Sequence, residues 1–259
     1  MDPGLDESVR QIVEARKTLT FLEDLPGARM PATVADAYRM QNAAVERWDD
    51  KVVGWKVGAT AKQVQERFGI SMPIYGPIFE KTVVQSPAVL LAQGFHHLIV
   101  ESEFAFRFGE NLPARSAPYS RSEIVAAVDV LASAFEIVSP RFKMTVPGKI
   151  LQAVADFGNN GGAVLGPFFD QWRELDLPSH AVKLFAGGTL RQEGKGAATL
   201  GDPVIVLEWF VNTFRAQGSS IARGAFVLTG TMTGLHTAEI GQQVTADFGN
   251  LGKVEITFV

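Results

Sequence analysis

The sequence contains no cysteine among its 259 residues. That absence excludes disulfides, thiolate zinc sites and a cysteine nucleophile together, and it fits a reducing compartment. Histidine is scarce, with four copies, which leaves little room for a Ser-His-Asp arrangement, and there is no GxSxG elbow. Apolar runs fall far short of the ~18 residues that a membrane span needs. The acidic, polar opening MDPGLDESVR lacks the character of a signal peptide. Lys and Arg form no cluster and the formal net charge is −4, so nucleic acid meets little electrostatic footprint. These absences lead us to expect a cytoplasmic protein with neither a nucleic-acid nor a membrane partner.

What is present is a foldable chain. With 46% hydrophobic and 20% charged residues it is too apolar for disorder and long enough to bury a sizeable core. Leu5, Val9, Ile12, Val13, Arg16 and Leu19 recur at helical spacing over 5–22, and Pro26-Gly27 ends that segment. A second helix is expected from Thr33 to about Trp48, with Val34, Ala37, Tyr38, Gln41, Val45 and Trp48 on its inner stripe. From Lys51 the texture turns to short β-rich runs broken by Gly and Pro. Val52–Gly58 and Ile99–Phe108 read as strands. Thr60–Phe68 reads as a helix with a Thr60/Gln63 capping pair and Gly69 as its stop. Ser120–Ala134 reads as a helix with a Ser120/Glu123 capping box, leading into the strand Phe135–Val138. Asp202-Pro203 opens a further helix that Gly218 closes, and the tail from Val244 to Phe258 reads as a hairpin. Without strict β-α alternation, Rossmann and TIM architectures are disfavoured. We expect one compact domain, with a helical segment (1–50) packed on a β-rich body (51–259).

Two motifs invite readings they do not sustain. Ala-Asp-Phe-Gly-Asn occurs at 155–159 and 246–250, but the flanks differ and no kinase partner motif accompanies DFG, so each Gly reads as a turn between strands. GTLRQEGKG (188–196) has the wrong spacing for a P-loop, and Gly196 stands where Ser or Thr would bind magnesium; a β-turn fits better.

The informative segment is IVESEFAFRF (99–108). Alternation along a strand puts Glu101 and Glu103 on one face, with Val100, Ser102, Phe104 and Phe106 on the other. Neighbouring carboxylates repel unless a cation or proton sits between them. An edge strand with two outward acids gives the same pattern, but the dense aromatic set argues for an inner strand. Glu136 lies within the apolar run Ala-Phe-Glu-Ile-Val, where an unpaired carboxylate is expensive. Three buried acids make a hard oxygen site suited to Mg²⁺ or Mn²⁺, and buried acids also serve structural pairs. Lys56 shares its face with Gly54 and Gly58, which leaves room for a ligand, while Val53, Trp55 and Val57 face the core; a solvated edge lysine fits equally. His97 would join the acidic face only if the strand began early.

Taken together these segments resemble the 2-keto-4-pentenoate hydratase/4-oxalocrotonate decarboxylase branch of the fumarylacetoacetate hydrolase superfamily. GWKVGAT (54–60) looks like the family's G-[WY]-K-[IV]-G-x-[TS], FGISMPIYGPIFE (68–80) its G-x-x-x-P-x-[FY]-G loop, and ESEFAF (101–106) its E-x-E-x-A-F. FEIV (135–138), GGAVLG (161–166), TGTMTG (229–234) and ADFGNLGKVEITFV follow in the family's order. The resemblance implies an α+β fold, a mixed β-sandwich roll with a helical N-terminal segment. It implies Mg²⁺ or Mn²⁺ held by Glu101, Glu103 and Glu136, chelating a 2-oxo or 2-hydroxydienoate acid. It makes Lys56 the active-site lysine, puts Glu80 near the reacting end of the substrate, and sets Gly230 and Thr231 where relatives bind the substrate carboxylate. One segment departs from the pattern. Where hydratases of this branch read D-N-A-S-S-G, this chain has Asp156-Phe157-Gly158-Asn159-Asn160-Gly161. Asp156 is assigned there to substrate binding, and Asn160, with Asn159, to orienting a water. The expected reaction is hydration of a 2-hydroxy-2,4-dienoate to a 4-hydroxy-2-oxo acid. A like charge at Glu80 would disfavour a second substrate carboxylate, and so a decarboxylase. An acylpyruvate C–C hydrolase and a non-catalytic partner subunit are further alternatives. The first usually draws on a His-Glu pair that no matched segment supplies, and the intact acids argue against the second. A homo-oligomer, associated with a pathway partner enzyme, is also implied.

Overall fold

The computed structural model describes residues 3–23, 25, 28–142 and 150–259. Two helices lead, α1 (Pro3–Thr18) and α2 (Val34–Glu46), the second capped by the Thr33 side chain, which accepts from the Asp36 N–H. Next come β1 (Val52–Gly58), α3 (Lys62–Phe68), β2 (Ile74–Phe79), β3 (Val83–Gln85), β4 (Ala88–Leu90) and β5 (Ile99–Phe108). The middle of the chain gives α4 (Arg121–Ala127), β6 (Val128–Val138), α5 (Ile150–Ala155) and β7 (Asn160–Phe169). The hairpin β8 (Ala181–Ala186) and β9 (Thr189–Lys195) precedes α6 (Pro203–Ala216). Short strands β10 (Phe226–Leu228) and β11 (Leu235–Thr237) lead to the closing hairpin β12 (Gln243–Asp247) and β13 (Lys253–Phe258).

Among the described residues one sheet runs β2-β1-β10-β5-β6-β7-β3, with β11 also paired to β5. Its end strands β2 and β3 are joined by the single turn 80–82, so the sheet curls back on itself. Ile78, Ala105, Ala132, Ala134, Ala163, Leu165, Phe226 and Leu228 fill the inside of the curl, and four of these eight are alanine because facing strands leave little room. The outer face, with Phe104, Phe106, Phe135 and Val227, packs on the second sheet, β4-β13-β12-β8-β9, through Val244, Phe248, Ile256 and Phe258. Val9, Ile12 and Val13 of α1 and Met40 and Ala44 of α2 pack on Phe79 and Phe157, which ties the leading helices to the curled sheet. This is the mixed α+β roll that the resemblance implied.

Several local expectations are corrected. α1 stops at Thr18, not 22, because Leu19 turns left-handed (φ 54°) and Leu22 bridges to Phe142. Pro26-Gly27 lies outside the described residues. Val34 is exposed at the start of α2, and Met40 and Ala44 take inner positions instead. The helix after Ser120 has its capping box but ends at Ala127, because Val128–Val138 pairs along almost the whole of β5 and tertiary pairing overrides helix propensity. α3 starts from Ala61 without a side-chain cap, since Thr60 is buried against Gly230. A bulge between Val52 and Gly54 sends Val53 to the inside of the curl, away from the core that Trp55 and Val57 join. The stretch 189–195 is strand, with the turn at Gly187-Gly188 (φ 57° and 75°). The first DFG copy links α5 to β7, not strand to strand.

Gly76 on β2 lies directly under the loop 156–160: a Cβ there would sit 2.1 Å from the Phe157 carbonyl oxygen. Gly76→Ala must push that loop or the strand aside, at a cost of about 1–3 kcal/mol. Thermal denaturation should show a clear fall in Tm, with no change for Gly94→Ala, whose Cβ would meet nothing within 4 Å.

Candidate metal centre

β5 is an inner strand, between β10 and β6, so its acids do not lie on a sheet edge. The register sets Glu101 directly opposite Glu136 on β6, with Glu103 two residues along on the same face. One carboxylate oxygen from each of the three lies within 4.8 Å of the others. Glu103 and Glu136 are fully buried and Glu101 half-buried.

Each acid is partly satisfied. Glu103 Oε2 accepts from the Gly230 N–H at 2.7 Å. Gly230 adopts φ 93°, and a Cβ there would strike Thr60 Oγ1 at 2.1 Å, so only glycine can aim that N–H at the acid. Glu136 Oε1 receives Lys56 Nζ and Asn160 Nδ2, each at 3.2 Å. Glu103 Oε1 and Glu136 Oε2 are left buried with no hydrogen-bond partner. Two orphaned carboxylate oxygens converging with a third acid are the donor set of a hard divalent cation, and the residues present fit Mg²⁺ or Mn²⁺.

The electrostatics agree. Burial pushes Glu101 up to about 7, with Glu136 adding to the shift and Lys56 opposing it. Burial, then Glu136 and Glu101, raises Glu103 well above the carboxylate range. Burial also raises Glu136, against the pull of Lys56 and Asn160. For Lys56 burial would lower the ammonium, but Glu136, Glu101 and Glu103 outweigh it and the net shift is upward. Lys56 is therefore a buried cation on an inner strand, between β2 and β10, not a solvated edge lysine. Its neighbours keep it there: a Cβ on Gly58 would lie 3.1 Å from Nζ and one on Gly158 3.3 Å from Cδ.

The structure thus brings together Glu101, Glu103, Glu136, Lys56, Asn160 and Gly230. It does not bring Glu80 to them. Lys56 pairs with Gly76 and Phe79 with Val52, so Glu80 falls beyond the far end of β2, exposed, beside Val53, Arg107 and Phe168. The apolar filling of the curl, Ile78, Ala105, Leu165 and Leu228, separates that end from the acids. Asp156 is buried, but its oxygens are engaged by Arg16 Nε at 2.5 Å and the Arg141 N–H at 2.7 Å. The Thr231 hydroxyl donates to the Gly234 carbonyl and accepts from the Gly234 N–H, closing its own turn. His97 lies before the strand, edge-on to Phe21. Arg16, placed on the helical stripe without a role, and Arg141 are the residues that hold Asp156. Arg16 carried a usable signal, since an arginine on the buried stripe of a helix requires a buried partner.

Residues 48–259 match the family described as fumarylacetoacetate (FAA) hydrolase C-terminal. The chain belongs to the fumarylacetoacetate hydrolase family. It is 28% identical over 258 residues to a 2-hydroxyhexa-2,4-dienoate hydratase of Comamonas testosteroni, covering 96% of this chain and 95% of that protein. It is 26% identical over 230 residues to a 4-oxalocrotonate decarboxylase of Pseudomonas putida, covering 88% and 86%. A solved structure of 4-oxalocrotonate decarboxylase from Pseudomonas putida G7, complexed with magnesium and adipate, superposes with a TM-score of 0.87 at 24% identity over 99% of this chain and 97% of that one. The fold of the family is therefore shared along nearly the whole chain.

A raised carboxylate binds its proton more tightly folded than unfolded. Between about 4.5 and 7, Glu101 therefore stabilises the metal-free fold less and less as pH rises, and the loss levels off above 7. Differential scanning calorimetry without metal should show Tm falling through this window relative to Glu101→Gln. Added Mg²⁺ competes with the same protons, and with those of the raised Glu103 and Glu136, so its affinity by titration calorimetry should rise with pH through this window.

Proposed function

We propose that this protein is a divalent-metal-dependent hydratase that adds water to a 2-hydroxy-2,4-dienoate to give a 4-hydroxy-2-oxo acid. The observation that carries the reading is the buried group Glu101, Glu103 and Glu136 with Lys56 against it, in a chain that aligns end to end with a dienoate hydratase. Net reaction moves a proton from the 2-hydroxyl to C5, then adds hydroxyl at C4 and a proton at C3. A divalent cation on the three glutamates would supply positive charge that draws electrons toward the 2-oxygen and carboxylate of the substrate.

The chain's own groups divide the remaining work. Gly230 N–H and Asn160 Nδ2 hold one oxygen of Glu103 and of Glu136, which fixes where their free oxygens point. Lys56, charged and desolvated, offers a donor to a substrate oxygen or to the attacking water and offsets the charge of the bound acid. Among the described residues the centre sets one ammonium against three carboxylates. Even with a divalent cation added, a diacid leaves more uncompensated negative charge than a monoacid. That count favours a monocarboxylic dienoate, and it replaces the argument from Glu80, which lies at the wrong end of the sheet. No described helix is long and apolar enough to cross a membrane. The absence of cysteine fits a cytoplasmic setting, and we read the enzyme as a homo-oligomer associated with a pathway partner enzyme.

The deciding experiment offers 2-hydroxypenta-2,4-dienoate and 2-oxohex-3-enedioate separately with Mg²⁺, following ultraviolet absorbance and CO₂ release. The dienoate should be consumed without CO₂, and EDTA should abolish turnover until Mg²⁺ or Mn²⁺ is returned. Rapid CO₂ from the diacid with the dienoate untouched would make the enzyme a decarboxylase. Lys56→Met should lower kcat about 10²–10³-fold and leave Mg²⁺ affinity unchanged or tighter; normal turnover would remove Lys56 from the reaction.

A further inference from the structure

Arg16 stands on α1, outside the stretch that matches the family, yet among the described residues every polar contact of its guanidinium falls on one loop. Nε donates to Asp156 Oδ1 at 2.5 Å, one terminal nitrogen to the Asp156 carbonyl at 2.6 Å, and the other to the Asn160 carbonyl at 2.9 Å. The same group stacks over the Phe157 ring, 4.5 Å from its centre. Its side chain is 7% exposed and that of Asp156 0%, so the pair is out of solvent, and removing either partner leaves an uncompensated buried charge.

The loop needs such a clamp. Phe157, Gly158 and Asn159 are all left-handed, with φ of 52°, 65° and 64°, and two of the three are not glycine. Side-chain-bearing residues persist there only where their surroundings over-determine them. The loop also has two contacts with the metal centre. Gly158 rests against the stem of Lys56, and Asn160, bonded through its carbonyl to Arg16, gives its amide to Glu136 Oε1.

We propose that Arg16 is a positioning residue of the metal centre: it fixes the 156–160 loop so that Asn160 holds Glu136 with its second oxygen turned to the cation. The N-terminal helix is then a working part of the centre, although it sends no side chain into it. The inference rests on the three glutamates being the cation site, but not on which reaction that site performs. Partners that orient a ligating carboxylate are worth about 10–100-fold in metal affinity or activity when removed.

The test is Mn²⁺ binding to the purified full chain, read as free Mn²⁺ by electron paramagnetic resonance at a temperature well below the unfolding transition. Arg16→Gln should weaken Mn²⁺ binding about tenfold. Asn160→Ala should do much the same, and the double variant no worse than either alone, because both act along one path. Arg16→Lys keeps a charge beside Asp156 but cannot reach three acceptors, so it should recover stability and not the Mn²⁺ affinity. If Arg16→Gln does not fold, this lysine variant carries the measurement. Mn²⁺ affinity within twofold of the parent in folded Arg16 variants, or losses that add in the double variant, would overturn the proposal. Neither result bears on whether a dienoate is hydrated.

Discussion

Three carboxylates held against one another away from water repel strongly, and most of what surrounds them in this fold acts to contain that repulsion. Removing an ion from water costs several kcal/mol even after relaxation, and a buried acceptor without a partner costs about 1–3 kcal/mol more. Here Lys56, Asn160 and the Gly230 N–H compensate only part of it, and two oxygens remain unserved. A protein selected for stability alone would have filled this space with valine or leucine. The retained cost is what gives the centre its appetite for a cation.

The containment is built from backbone as much as from side chains. The cross-strand pair Glu101/Glu136 is fixed by ladder register, which cannot slip by one residue without turning every acid to the other face. Where the ladder ends, loops take over. Gly230 reaches Glu103 with its amide, and the left-handed run 157–159 delivers Asn160 to Glu136. Sheet supplies the acids and loops supply their orientation, so rigid and strained elements share one site.

The sequence showed the sheet-borne half of this clearly. Period-two alternation marked Glu101 and Glu103 as neighbours, and an acid within an apolar run marked Glu136 as buried; both are local signals. The closing hairpin was legible for the same reason, since Val244, Ala246, Val254 and Ile256 alternate into one core. What was hidden depended on distant partners. The helix expected over 120–134 gave way at Val128 because β5, twenty residues earlier in the chain, offered a longer pairing than local propensity. Glu80 and Asp156 carried the right chemistry, but topology set the first at the opposite end of the curl and gave the second to Arg16. The separation of 140 positions between Arg16 and Asp156 leaves no pattern for a reader of sequence to find.

The alanine-lined filling of the curled sheet has a consequence for traffic. Ala105, Ala132, Ala134 and Ala163 pack with Leu165, Phe226 and Leu228 into a buried plug below the acids. Among the described residues this plug closes the way from the half-exposed Glu101 toward the Glu80 end of the sheet. Traffic to the centre is thereby confined to the Glu101 side, where the loops that carry Gly230 and Asn160, and not packed strands, set the clearance.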